Sequence, residues 1–165
     1  MNRFQGRLAV MASLGMALMV GVVALRSHAQ PGAQKVVTVT ATPPKTAPVG
    51  KPFTIVVALN IADQYHLQGH DTKDPNIPTV VSLGQTKGFK PGKVVYPASV
   101  IREFSHEKLP VYEKKVEIKI PVTPDATVKP GKYTLPVTVS YQGCNDHSCF
   151  PPDKTTVQVS VTVSK

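Results

Sequence analysis

The chain has 165 residues, 19 basic against 10 acidic side chains, no Trp and two Cys, a size that suits one domain once any targeting segment is removed. The excess charge is almost all lysine, spread along the chain and often set beside acids, as in Glu113-Lys114-Lys115-Val116-Glu117. That pattern describes a solvated strand face. A nucleic-acid footprint would cluster Arg and interleave aromatics, so nucleic-acid binding is set aside.

Arg3 and Arg7 precede an apolar run from Leu8 to Leu25, followed by Arg26 and Ser27-His28-Ala29, with small residues where a leader peptidase reads. The pattern predicts a secretory signal over 1–29, cut before Gln30, and an exported domain over 30–165 with its core at about 36–163. The alternative is an uncleaved membrane anchor, since the run nearly reaches spanning length. No Cys stands at the cut, which argues against a lipoprotein, and no second apolar run of that length follows. Export sets the redox condition: paired cysteines outside the cytoplasm can be oxidised and stay so, and an even count fits one intramolecular pair.

After a loose stretch over Gln30–Gln34, Lys35–Ala41 alternates as a first strand, and the proline-rich Thr42–Pro52 reads as a turn-rich connection. In Phe53–Ile61 the side chains of Phe53, Ile55, Val57, Leu59 and Ile61 share one face. Val56 and Ala58 on the other face predict a central strand. Asp63–Pro78 is expected to be a polar loop carrying Tyr65, His66 and His70, and Thr79–Leu83 a short strand. Gly84–Gly92 reads as a turn before Lys93–Tyr96, and Pro97–Pro110 as an irregular segment holding Arg102-Glu103-Phe104 and His106. Val111–Val122 is the clearest strand, with Val116, Ile118, Ile120 and Val122 facing one way and Lys115, Glu117 and Lys119 the other. Pro124–Gly131 is a turn. No helical period follows the signal. Seven or eight short strands separated by turns predict an all-β, immunoglobulin-like antiparallel β-sandwich. The marks of an antibody core are missing: there is no Trp, and the cysteines lie too close in sequence to bridge two sheets.

The most informative stretch is Tyr141-Gln142-Gly143-Cys144-Asn145-Asp146-His147-Ser148-Cys149-Phe150-Pro151-Pro152. Strand alternation leads in through Tyr133, Leu135, Val137, Val139 and Tyr141 and out through Val157, Val159, Val161 and Val163, so the cysteines sit on a connection between two strands. Four residues separate them. That is too wide for a C-x-x-C motif but close enough for both Cβ atoms to meet in a turn. Closing so short a loop contributes about 2 kcal/mol in the chain-entropy account, and a domain of this size normally folds without such help. Three readings stay open on the residues alone: a structural staple, a redox pair, and a metal site. The last would use Cys144, Cys149 and His147 with one of His66, His70 or His106, since sulfur and imidazole suit zinc or copper(I). The spacing lacks a zinc-finger signature, and neither paired carboxylates nor a Ser-His-Asp arrangement can be argued.

Tyr-Gln-Gly-Cys before the pair and Cys-Phe-Pro-Pro after it resemble the active-site signature of the periplasmic N-terminal domain of the thiol:disulfide interchange protein DsbD family. Weaker likeness extends through Tyr65-His66, Ile77-Pro78-Thr79, Tyr96-Pro97 and Val111-Tyr112, so the resemblance spans roughly Val36 to Val163. It implies an immunoglobulin-like fold and an electron relay acting as a protein-disulfide reductase component. The pair would be reduced by a thioredoxin-fold protein or membrane thiol transporter. It would then reduce a periplasmic disulfide isomerase or a cytochrome-maturation thiol protein. The resemblance also implies that Cys149 exchanges with the partner, that Phe104 caps the sulfurs, and that Glu103 is an acid near them. Family members continue into membrane and thioredoxin-like domains, so a free-standing version with a separate donor is expected here.

Around the pair, His147 reads as a helper cation or, more simply, a solvent-facing turn residue. Tyr65 and Tyr141 read as packing beside the sulfurs or as plain core. No helix N-terminus is available to activate a thiol, and Asp146 would oppose a thiolate, so control by access is expected. A monomer without cofactor is expected. The competing function class is an exported binding or scaffold sandwich with an inert disulfide.

Overall fold

The computed structural model describes residues 35–104 and 107–165. The leader read in residues 1–29, the loose stretch at Gln30–Gln34 and the metal-ligand candidate His106 lie outside the described residues. Twelve strands occur among those described: β1 (Val37–Thr42), β2 (Ala47–Pro48), β3 (Phe53–Ile61), β4 (His66–Gln68), β5 (Val80–Leu83), β6 (Phe89–Pro91), β7 (Val100–Phe104), β8 (Glu107–Tyr112), β9 (Lys115–Pro124), β10 (Gly131–Tyr141), β11 (Gly143–Cys144) and β12 (Asp153–Ser164). Two four-stranded sheets, ordered β1-β3-β9-β6 and β2-β12-β10-β5, make an immunoglobulin-like β-sandwich. All pairings in them are antiparallel except the short β2–β12 contact.

The sandwich follows from the period-2 pattern. On β3 and β9, Ile55 faces Ile120, Val57 faces Ile118 and Leu59 faces Val116 across the ladder, and all six are buried. On the opposing sheet Leu135 pairs with Val159, and Val137, Val139, Val161 and Val163 complete one continuous apolar cluster. Outward positions of β9 are charged, and Lys115 and Glu117 make an exposed ion pair of 2.9 Å, which contributes little beside the core. Strand β3 lies between β1 and β9, the central place expected from its two half-apolar faces.

Three sequence readings are corrected, and all three corrections concern a third sheet, ordered β11-β4-β8-β7. The expected polar loop over Asp63–Pro78 contains β4, whose three residues His66, Leu67 and Gln68 are all buried. Polarity pointed to solvent there, but these polar side chains face the cysteine loop. The expected irregular segment Pro97–Pro110 is a hairpin arm formed by β7 and β8, registered from Val100↔Val111 to Phe104↔Glu107. Most of that arm is exposed on both faces, so no alternation marks it. The expected continuous strand Val111–Val122 is broken at Glu113-Lys114, where Lys114 takes a left-handed φ of 56°. Val111 and Tyr112 therefore belong to the third sheet and Lys115 onward to the sandwich. Two smaller differences are that Lys93–Tyr96 contributes a single bridge, Val95 to Lys119, and that Gly84–Gly92 includes the short β6.

If this core carries the stability, Ile120→Ala should cost about 2–5 kcal/mol in urea denaturation. Its neighbour Lys119→Ala, which removes only an exposed side chain, should change stability by less than about 0.5 kcal/mol.

Candidate functional site

Backbone pairing brings the two sulfurs together. Phe150 N–H donates to Gly143 O at 2.8 Å and Asn145 N–H to Ser148 O at 2.9 Å. These two bonds bracket Cys144 and Cys149, which face each other as an isolated antiparallel bridge. They form a non-hydrogen-bonded pair, the register in which opposite side chains approach most closely. Their Cα atoms are 4.0 Å apart and the sulfurs are bonded. The four-residue loop is held by Asn145, whose Oδ1 accepts from the N–H groups of His147 at 2.9 Å and Ser148 at 2.8 Å. This is an Asx-type closure. On its other side β11 pairs with β4, Gly143 opposite Leu67 and Cys144 opposite His66. Gly143 is required by close approach: a Cβ there would lie 2.7 Å from Val36 Cγ1.

The two sulfurs differ in their surroundings. Cys144 is 1% exposed, whereas Cys149 is exposed. The buried Gln68 presents Nε2 to Cys144 Sγ at 3.6 Å. Aromatic rings flank both ends of the bridge. Phe104, at the tip of β7, stacks on His66 with centroids 4.6 Å apart. Phe150, directly after Cys149, packs at 5.8 Å against Tyr65. Beside them lies an open polar pocket lined by residues including Tyr65, His66, Arg102, Glu113 and Asp146. Arg102 and Glu113 pair there at 3.3 Å. Burial pulls the His66 imidazole below its ordinary pKa, against the charges of Glu113 and Asp146 and with that of Arg102.

The remaining sequence candidates are dispersed. Glu103 is exposed and alternates to the face of β7 opposite Phe104. Tyr141 is buried in the sandwich core, and its hydroxyl donates to Asp153 Oδ2 at 2.9 Å. Burial raises the pKa of its phenol. His147 is exposed, and its recorded bond is made by its backbone. His70 lies in a separate cluster. Its Nδ1 is hydrogen-bonded with the Tyr112 hydroxyl at 2.6 Å and its ring stacks on Tyr96 at 4.4 Å, while Tyr112 Oη lies 3.2 Å from Pro97 O. That cluster ties the base of the β7–β8 arm to the segment after β4. Among the described residues no three His, Cys, Asp or Glu side chains gather as a metal site, and no helix is long and apolar enough to cross a membrane.

Sequence reading passed over Gln68, set Glu113 on a solvated strand face, and gave His66 a place in the family likeness and as a distant metal-ligand candidate, whereas Glu113 and His66 line the pocket here. No short motif carries them. His66 and Gln68 are polar residues in the strand that pairs with the cysteine strand, and Glu113 follows β8, which pairs with that same β4; this becomes visible only once the third sheet is assembled.

The family described as "Thiol:disulfide interchange protein DsbD, N-terminal" matches over residues 33–161. No curated protein sequence matches the chain. Among solved structures, the reduced form of the Neisseria meningitidis DsbD N-terminal domain is similar with a TM-score of 0.52 at 16% identity, covering 78% of this chain and 87% of that one. The N-terminal periplasmic domain of ScsB from Proteus mirabilis gives a TM-score of 0.55 at 11% identity, over 78% of this chain and 47% of that one. This chain therefore spans about half the length of the ScsB domain. At these identities the likeness shows the fold.

The buried His66 generates a pH prediction. The unfolded chain takes up a proton at an imidazole pKa of about 6.5, and the folded chain resists it to lower pH. The unfolded state then binds more protons through that interval, so stability falls as pH drops below the unfolded value and is unaffected above it. Urea midpoints of the wild type should fall relative to His66→Phe between about pH 7 and pH 5. Parallel midpoints across that range would mean that His66 is solvated.

Proposed function

Because the chain belongs to the family of DsbD N-terminal thiol:disulfide interchange domains, we propose that it relays electrons in the periplasm through the Cys144–Cys149 pair. The observation that carries the reading is the unequal exposure of two bonded sulfurs: Cys149 is open to solvent while Cys144 is enclosed. Exchange proceeds by in-line attack of a thiolate on an accessible sulfur. A donor thiolate attacks Cys149 Sγ. The Cys144–Cys149 bond breaks, a mixed disulfide forms on Cys149, and the electron pair leaves on Cys144 Sγ. The donor's second thiol then attacks its own sulfur in the mixed disulfide and releases Cys149 as a thiolate. Two electrons have moved, the domain is a dithiol and the donor a disulfide. The same steps in reverse reduce an acceptor, with Cys149 attacking and Cys144 resolving.

The proposed donor is a thioredoxin-fold protein or membrane thiol transporter. The acceptor is a periplasmic disulfide isomerase or a cytochrome-maturation thiol protein, and the leader read in residues 1–29 brings the domain to them. Phe104 acts as a cap in this reading. Its ring covers His66, the ladder partner of Cys144, and the strand that carries it is largely exposed. Access to the bridge then depends on whether the arm is closed. Glu103, on the opposite face, takes no part in the exchange step. Tyr65 supports Phe150 beside the attacked sulfur, and Tyr141 anchors the strand that delivers Gly143 and Cys144.

Two measurements test the relay. Cys144→Ser, which removes the resolving thiol, should accumulate a mixed disulfide with a thioredoxin-fold protein through Cys149, and Cys149→Ser should accumulate much less. If neither variant captures such a protein, and the wild-type bridge resists glutathione while its loss unfolds the domain, the bridge is a staple. Phe104→Ala should be reduced by dithiothreitol several-fold faster than the wild type with little change in melting temperature. An unchanged rate with a large loss of stability would make Phe104 an ordinary packing residue.

A further inference from the structure

The environment of the enclosed sulfur contains one feature that the exchange scheme leaves unused. Gln68 is 1% exposed, yet it is a polar residue in a three-residue strand. Its Nε2 points at Cys144 Sγ at 3.6 Å. Its Oε1 is buried without a hydrogen-bond partner among the described residues. A buried carbonyl left unpartnered is destabilising, so such a group calls for a physical reason. Its backbone, by contrast, is tightly held. Gln68 N–H donates to Gln142 O at 3.3 Å, and Gln68 O accepts from the N–H of Thr79 at 3.2 Å and from the Thr79 hydroxyl. Thr79 is itself fully buried. The amide is thus fixed beside the sulfur by strand pairing on a rigid element, the arrangement that preorganises a functional group.

We infer that Gln68 is a catalytic residue for the exchange proposed above, donating a hydrogen bond to Cys144 Sγ as that sulfur becomes a thiolate. When Cys149 is attacked, the electron pair of the broken bond arrives on Cys144, the less solvated of the two sulfurs. Water cannot readily stabilise the charge there, and a buried thiolate is otherwise disfavoured. An N–H already aimed at the sulfur needs no reorganisation at the moment of cleavage and is worth most in a site from which water is excluded. The disulfide sulfur carries no hydrogen, so only a donor can meet it, which accounts for the amide's orientation. The unpartnered Oε1 has a use in the other redox state. A half-turn of the amide brings it to a protonated Cys144, giving the S–H an acceptor.

Other groups near Cys144 do not take this part. His66 lies opposite it in the ladder, but its ring is engaged by Phe104, and burial keeps it from serving as a cation. Glu113 and Asp146 act on His66 as negative charges and would oppose a thiolate, and Arg102 is paired with Glu113. Among the described residues Gln68 is the side-chain donor to this sulfur.

The inference rests on the relay reading, but its test does not need a partner. In the Cys149→Ser background Cys144 is a free thiol whose ionisation can be followed by thiolate absorbance. Gln68→Met keeps the length of the side chain and removes the donor. Gln68→Glu keeps its volume and replaces the donor with an acid. Both should raise the Cys144 pKa relative to Gln68, by about one unit for the Met variant. In the two-cysteine protein both should slow reduction by dithiothreitol several-fold, because a more basic leaving thiolate departs more slowly. Near-UV circular dichroism identifies which of the two variants keeps the native fold, and that one decides. Coincident titration curves overturn the role of Gln68, even if the wild-type bridge exchanges freely with a thioredoxin-fold dithiol. A raised pKa with slower reduction supports it, even if no partner is captured and the relay itself fails.

Discussion

The site depends on a choice of register. Cys144 and Cys149 occupy the non-hydrogen-bonded position of a tight hairpin, bracketed by Phe150 N–H to Gly143 O and Asn145 N–H to Ser148 O. One residue of slip would send the two side chains to opposite faces of the ribbon. The sulfurs would then be unable to bond without a backbone rearrangement. Asn145 closes the loop from within, and Gly143 lets the strand press against Val36. The chemistry is therefore placed by backbone geometry, with the sulfurs following from it.

The same register decides which side chains surround the bridge. Because Cys144 lies opposite His66, alternation along β4 puts His66 and Gln68 on the face of the sulfur and turns Leu67 toward the sandwich, where it is fully buried. Three consecutive residues are then buried for two different reasons. One joins the apolar cluster, and two line the redox site. Polar groups withdrawn from water in this way need partners: Gln68 Nε2 meets the sulfur and the His66 ring stacks on Phe104, while Gln68 Oε1 has no hydrogen-bond partner among the described residues. The low imidazole pKa of His66 is the electrostatic counterpart of that burial.

Stability and reactivity are kept on separate parts of the molecule. The two sandwich sheets carry most of the buried apolar residues, and the third sheet carries the bridge and the exposed β7–β8 arm. The arm is anchored at its base, through Tyr112 with His70 and Pro97 and through Gly69 N–H to Pro110 O at 2.8 Å. Farther along β7, Arg102 pairs with Glu113 at 3.3 Å and Phe104 stacks on His66. A largely exposed element with few buried apolar residues is of the kind that opens at low cost. Cys144, on β11, thus belongs to a sheet separate from the two that hold most of the core.

Elements with one buried face were legible in the sequence because burial imposes a period of two on the side chains. Strand β3 has the expected bounds, the alternation along β9, β10 and β12 is as read, and the immunoglobulin-like sandwich follows from them. The cysteine connection and its flanking residues were equally legible, since Gly, Pro and Cys act locally. The third sheet was not. Its arm is exposed on both faces and β4 is buried on both, so neither leaves a periodic trace. The break at Lys114 is a single left-handed residue within an otherwise strand-like run. Gln68 and Glu113 reach the site only because β4 and β8 pair beside β11 and the chain turns at Lys114. The sequence by itself determined the sandwich and the pair of sulfurs, through local pattern. Only the tertiary structure decided which sulfur is enclosed and what encloses it, because that depends on strands far apart in the chain meeting in one register.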